Sequence, residues 1–163
     1  MAEFNAAKLI SILIRNEGKA ADLYNNLAKQ MKEGAGEKVF NILAEDERNH
    51  ARIYSELLKK VEKSQPAEIT TEDSEYLESL IVNDMFADGE KAMEVIEGKY
   101  SEEEALKLAE KLERDGIIYV LELMKMFPDL APKEMKKILN EEKRHLQAVL
   151  SKANPGAVRY LRY

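Results

Sequence analysis

The sequence contains no cysteine and no tryptophan, and only two histidines in 163 residues. Without cysteine there can be no disulfide, no thiolate nucleophile, no cysteine-ligated zinc and no iron–sulfur cluster held by this chain. Nothing in this composition supports an oxidising compartment. Long apolar runs are missing too, and none approaches the roughly 20 residues of a membrane span. The opening stretch, MAEFNAAKLISILIRNEG, lacks the basic flank of a signal peptide. The expectation is a cytoplasmic protein with no membrane partner. An excess of positive charge is absent as well. The formal net charge is −6, which argues against nucleic acid, whose backbone recruits basic patches. The length fits one domain, residues 1–163, and is sufficient to bury a core without staples.

What is present is helical periodicity, with no competing strand signal. The spacing predicts a first helix from about Asn5 to Lys32. Its apolar stripe includes Ile10, Leu13, Ile14, Ala20, Ala21, Tyr24, Leu27 and Met31. Two glycines in EGAGE break it, and a second helix is predicted from about Lys38 to Glu62. So short a turn makes the pair antiparallel. Residues 64–100 read as a long crossover with one or two short helices, capped near Thr70 or Thr71. Ser101 and Glu104 form a capping-box signature for a third long helix that ends near Met126. Pro132 suits the first turn of a fourth, which runs to about Lys152 before NPG and a tail over 153–163. Two short connections and one long crossover between helices 2 and 3 describe an all-α, antiparallel four-helix bundle over about 5–152 with ferritin-like connectivity.

Both histidines follow a glutamate by three residues: Glu47 with His50 in EDERNH, and Glu142 with His145 in NEEKRH. One such pair is ordinary in a chain this rich in glutamate; two from two histidines are not. Residues three apart lie one turn along the same helix face. Here those faces are apolar, with Phe40, Leu43, Ala51, Tyr54 and Leu58 around the first pair and Met135, Ile138, Leu139, Leu146 and Val149 around the second. Glu17 and Glu113 interrupt apolar stripes in the same way. The spacing repeats, 30 residues from Glu17 to Glu47 and 29 from Glu113 to Glu142, as in a duplicated helix pair. Buried carboxylates are costly unless paired. Two divalent metals would neutralise four carboxylates. Oxygen-rich donors with one imidazole per metal suit iron, or manganese, better than zinc.

The chain resembles the rubrerythrin-like branch of the ferritin-like di-iron carboxylate proteins. The resemblance rests on LIRNEGKAADLY, ILAEDERNHARIY, ALKLAEKLERDGIIY and ILNEEKRHLQAVL for the four long helices. It implies that Glu17, Glu47, His50, Glu113, Glu142 and His145 ligate two iron ions per chain, a glutamate from each of two helices and a Glu-x-x-His from each of the others. Rubrerythrins proper also carry a four-cysteine rubredoxin part, for which this sequence offers no residues, and an extra glutamate on the third helix. Glu110 is the candidate for that seventh ligand; its neighbours Lys107 and Arg114 equally suit a solvated ion pair. The third helix has Val120 where the first has Tyr24, with Tyr119 displaced by one position. Asp46 and Glu141, each just before a motif glutamate, either orient the histidine of the facing helix or are simple surface acids. Tyr24 and Tyr54 are expected near the site, as core packing or as partners of the ligands.

The function expected from these readings is a redox enzyme that reduces hydrogen peroxide or dioxygen. Electrons would come from a separate donor, since no cysteine is available for an internal relay. Oxidation and storage of ferrous iron in a cage is the second reading, and a metal-stabilised binding module without turnover the third. A homo-oligomer is expected, with a dimer favoured and the tail or crossover mediating the pairing.

Overall fold

The structure is a computed structural model that describes residues 5–31, 35–61 and 69–153. Helix α1, Ala6–Gln30, starts where the Asn5 side chain accepts the backbone N–H of Lys8, satisfying one of the free donors of the first turn. Helix α2 spans Ala35–Val61. It begins three residues before Lys38, with Gly36 accommodated in its first turn. In the crossover, α3 (Thr71–Val82) is capped by Thr70 and α4 (Gly89–Glu97) by Asp88. Helix α5, Glu102–Met126, carries the full capping box of Ser101 and Glu104. Helix α6, Pro132–Ala153, opens on the expected proline. Residues 62–68 of the crossover and the tail from 154 onward lie outside the described residues. No strand and no helix long and apolar enough to cross a membrane occurs among the described residues.

The four long helices enclose two apolar cores. The first gathers Leu9, Leu13, Tyr54, Leu57, Val120, Leu123 and Ile138. The second gathers Leu23, Tyr24, Leu27, Phe40, Leu43, Ala109 and Val149. Each long helix passes from one core to the other, and the glutamate stands at the crossing: Glu17 between Leu13 and Ala20, Glu47 between Ala44 and Tyr54, Glu113 between Ala109 and Tyr119, Glu142 between Leu139 and Val149.

Core membership also gives the directions. α1 and α6 run from the first core to the second; α2 and α5 run from the second to the first. Parallel α2 and α5 need a connection that returns the full length of the bundle. The crossover provides it: Leu77 of α3 packs in the first core, and Phe86, Ala92 and Ile96 pack in the second. Its far end is tied to α1. Asn26 donates to the carbonyls of Ile96 and Gly98, and Gln30 donates to that of Gly98. This is the ferritin-like arrangement.

Candidate metal centre

Among the described residues the buried charged side chains are Glu17, Glu47, His50, Glu113, Glu142 and His145, none more than 6% exposed. They come from all four long helices at one level of the bundle. Their donor atoms form two overlapping quartets. Glu17, Glu47, His50 and Glu142 make one, and Glu47, Glu113, Glu142 and His145 the other; within each, one ligand atom per residue lies within 4.8 Å of the rest. Glu47 and Glu142, the motif glutamates, belong to both.

Each imidazole turns Nδ1 toward the carboxylates and Nε2 outward. His50 Nδ1 lies 3.1 Å from Glu47 Oε2 and 3.0 Å from Glu142 Oε1. His145 Nδ1 lies 3.4 Å from both Glu47 Oε1 and Glu113 Oε2. The outward nitrogens meet the acids of the facing helix: His50 Nε2 is 3.1 Å from Glu141 Oε2, and His145 Nε2 is 3.0 Å from Asp46 Oδ2. Holding Nε2–H in this way leaves the Nδ1 lone pair free for a cation. The two rings stack with centroids 5.7 Å apart.

Without a cation the cluster stabilises itself with protons. Burial, reinforced by the Glu47 charge, pushes the carboxyl groups of Glu17 and Glu113 well above their ordinary range. Glu47 goes the other way: burial opposes its charge, but hydrogen bonds from Glu17, His145 and His50 outweigh that and hold it well below the usual range. For His50, burial favours the neutral ring, yet Glu142 and Glu47 raise it to about 10. His145 is raised as well, by Glu113, Glu142 and Glu47 against its burial.

Protons do not satisfy every atom. Glu113 Oε2, Glu142 Oε1 and His145 Nδ1 have ionic neighbours at 3.0–3.4 Å but no aligned hydrogen bond, and an incompletely satisfied buried polar atom is costly. All three face the quartets. A cation in each quartet would give every one of them a partner, and four carboxylates balance two divalent charges. The residues present therefore fit a pair of divalent metals, on atoms as well as on charge.

Other expected residues fall in different places. Glu110 belongs to neither quartet; it is paired with Arg114 at 2.9 Å on the outer side of α5. Surface ion pairs at this helical spacing are common and weak. Tyr24 donates its hydroxyl to Glu113 Oε1 and stacks on Phe40. The Tyr54 hydroxyl is buried without a partner. Tyr119 does not take up a role matching Tyr24. Its hydroxyl donates to Asp84 Oδ2 at 2.8 Å and, at 3.3 Å, to the carbonyl of Leu80, tying α5 to the crossover.

Asp84, Asn16, Met85 and Phe86 were not legible as site residues, although all four border the cluster. Three of them lie in an irregular turn that has no periodicity to read. In the sequence TTEDSEYLESLIVNDMF reads as one short helix, but α3 ends at Val82 and residues 84–86 turn out of it.

Gly116 is set by close approach. A Cβ there would stand 3.3 Å from Glu142 Oε2 and 3.5 Å from its Cδ. Gly116→Ala should leave the metal-free bundle as stable or stabilise it, by up to about 1 kcal/mol from helix propensity. The Glu142 carboxyl must then withdraw by a few tenths of an ångström, and metal affinity should fall about tenfold. Thermal melts and metal titrations of the same variant read the two effects separately. Unchanged affinity would mean that Glu142 moves freely.

A family model, Rubrerythrin, matches residues 8–152. No curated protein matches the chain in sequence. A solved structure from Thermotoga maritima, provisionally described as a ferritin-like diiron-carboxylate protein, aligns over 94% of this chain and 97% of that one, with 24% identity and a TM-score of 0.66. At that identity the likeness speaks for the fold. The family match covers all four long helices and every residue of the buried cluster, and on that ground the chain belongs to the Rubrerythrin family of ferritin-like di-iron proteins.

Proposed function

We propose that this protein is a di-iron carboxylate oxidoreductase that reduces hydrogen peroxide or dioxygen with electrons from a separate donor. The observation that carries the reading is the pair of buried quartets that share Glu47 and Glu142. Glu17 and His50 complete one metal site, Glu113 and His145 the other. Six protein ligands with a large share of carboxylate oxygen favour iron, with manganese as the alternative. When bound, a ferrous pair supplies the two electrons that, with two protons, convert one hydrogen peroxide to two waters.

The chain's own residues hold that chemistry in place. Glu141 and Asp46 fix the tautomer and orientation of His50 and His145 through Nε2. The Tyr24 hydroxyl holds a proton against Glu113 Oε1. Burial and the neighbouring carboxyl groups keep both Tyr24 and Tyr54 protonated far above neutral pH. The two apolar cores exclude bulk water from both ends of the cluster. This sequence offers no cysteine for an iron–sulfur relay, which favours a separate donor.

Elemental analysis of fully loaded protein should give close to two metals per chain. Ferrous protein prepared anaerobically should oxidise faster with hydrogen peroxide than with dioxygen, and return to the ferrous state when a reductant is added. Uptake of many irons per chain into a mineral, with dioxygen the faster oxidant, would favour iron storage instead. Loaded protein inert to both oxidants would leave only a metal-binding module. Gel filtration of the same samples tests the expected homodimer against a cage.

A further inference from the structure

One opening reaches the cluster glutamates between α1, α5 and the turn that joins α3 to α4; a separate cavity lies outside the histidines, against Asp46, Glu141 and His145. The opening holds a cavity of about 30 Å³. Its floor is the four cluster glutamates, all buried; its rim is Asn16, Met85, Leu112, Asp115 and Gly116, all half-buried. A single water needs about 10–15 Å³ by this measure. The space therefore holds about two waters, or a molecule of two heavy atoms.

The turn that narrows this opening is fastened by one side chain. The Asp84 side chain is 4% exposed. Its Oδ2 accepts from Asn16 Nδ2 at 2.6 Å on α1 and from the Tyr119 hydroxyl at 2.8 Å on α5. Its Oδ1 accepts the backbone N–H of Phe86 at 2.7 Å. Arg15 donates twice to Asn16 Oδ1, which turns the amide so that Nδ2 faces Asp84. One carboxyl group thus joins both walls of the opening to the turn between them. The adjacent Phe86 ring is fully buried in the second core. All of these residues converge beside the cluster.

We propose that this opening is the oxidant entrance, and that the Asp84-fastened turn, through Met85 and Phe86, restricts it to hydrogen peroxide and dioxygen against organic hydroperoxides. This deepens the redox reading above and rests on it. Asp84, Asn16 and Tyr119 are positioning residues, and Met85 and Phe86 set the width.

The test compares ferrous-loaded wild type with Met85→Ala, Phe86→Ala and Asp84→Ala, and with Val82→Ala as a surface control, by stopped-flow oxidation with hydrogen peroxide and with cumene hydroperoxide. Wild type and Val82→Ala should discriminate strongly for hydrogen peroxide. The cavity variants should raise the cumene hydroperoxide rate relative to the hydrogen peroxide rate by about tenfold or more. Met85 is only half-buried, so that variant remains informative if Phe86→Ala folds poorly. An unchanged ratio in Met85→Ala and in whichever other cavity variants fold overturns the entrance.

A second measurement separates this proposal from the redox reading. Cobalt-loaded proteins are titrated with azide and with benzoate, and the cobalt absorbance bands are followed. Azide should perturb all of them; benzoate should perturb only the cavity variants. Loaded protein that neither oxidant touches, with this azide and benzoate pattern intact, defeats the redox reading and keeps the narrow opening. Benzoate reaching the wild-type metals as readily as azide defeats the opening itself.

Discussion

Metal-loaded protein should melt roughly 10–20 °C above the metal-free form, with a gap that widens as pH rises. Each metal at about a hundred times its dissociation constant adds about 2.7 kcal/mol. Two such sites shift the melting of a chain of this size by the stated range. The pH dependence follows from the protons that replace the metals. Glu17 and Glu113 have raised values, so the stability linked to their protons is present below the ordinary 4.5 and is lost as pH rises through their folded values. His50, raised from 6.5 to about 10, contributes fully below 6.5 and loses that contribution as pH climbs toward 10. His145 has the same sign. Glu47, depressed, contributes above 4.5 and loses its contribution only as pH falls through its low folded value. The metal-free protein should therefore be most stable at mildly acidic pH and weaken steadily to pH 10. Loading releases those protons, so apparent metal affinity rises over the same range. Thermal melts at pH 5.5, 7 and 8.5, with manganese and with a chelator, measure both slopes. A metal-free melting temperature that climbs with pH would show that the buried carboxyl groups are not holding protons.

Single substitutions of the unshared glutamates should each remove one metal. Glu17 belongs to one quartet and Glu113 to the other, while Glu47 and Glu142 serve both. Glu17→Met and Glu113→Met should each lower loading from about two metals per chain to about one, and the double variant should bind almost none. The metal-free proteins should respond in the opposite sense. A buried polar group exchanged for an apolar one of similar volume is often neutral or stabilising, by about 1–4 kcal/mol where ion pairs have been replaced. Each substitution also removes one buried hydrogen bond: Glu17 donates to Glu47, and Glu113 accepts the Tyr24 hydroxyl. Leaving the partner unpaired costs about 1–3 kcal/mol, so both metal-free variants should gain by similar, reduced amounts. Elemental analysis and chelator-treated melts read both effects. Loss of both metals from either single variant would show that the quartets do not fill independently.

The four long helices and the six cluster residues were legible in the sequence for one reason. A helix repeats every 3.6 residues, so a glutamate such as Glu17 between Leu13 and Ala20 declares itself as a charge on a buried face. Scarcity helped: with two histidines in the chain, a Glu-x-x-His around each stood out. The caps at Thr70 and Ser101 and the proline at 132 were readable because capping is local chemistry within four residues. The crossover was legible as a length and not as a structure, since a turn such as Asp84–Phe86 follows no period.

Tertiary structure alone decided the rest. Periodicity assigns a side chain to a face but not to a neighbour. That Glu47 and Glu142 are shared between quartets, while Glu17 and Glu113 are not, depends on how four helices are rotated about one another. Asp46 reaches His145 across 99 residues of chain, and Glu141 reaches His50 across 91; from the sequence each was equally a surface acid. Glu110 and Glu113 lie one turn apart, yet only the packing of α5 against α6 turns Glu113 inward and leaves Glu110 with Arg114. Tyr119 was expected as a failed match to Tyr24 and became the anchor of Asp84, 35 residues away. Helix-forming tendency and burial are written residue by residue along the chain. Which buried atoms meet is set by contacts between distant segments, and those exist only once the bundle has closed.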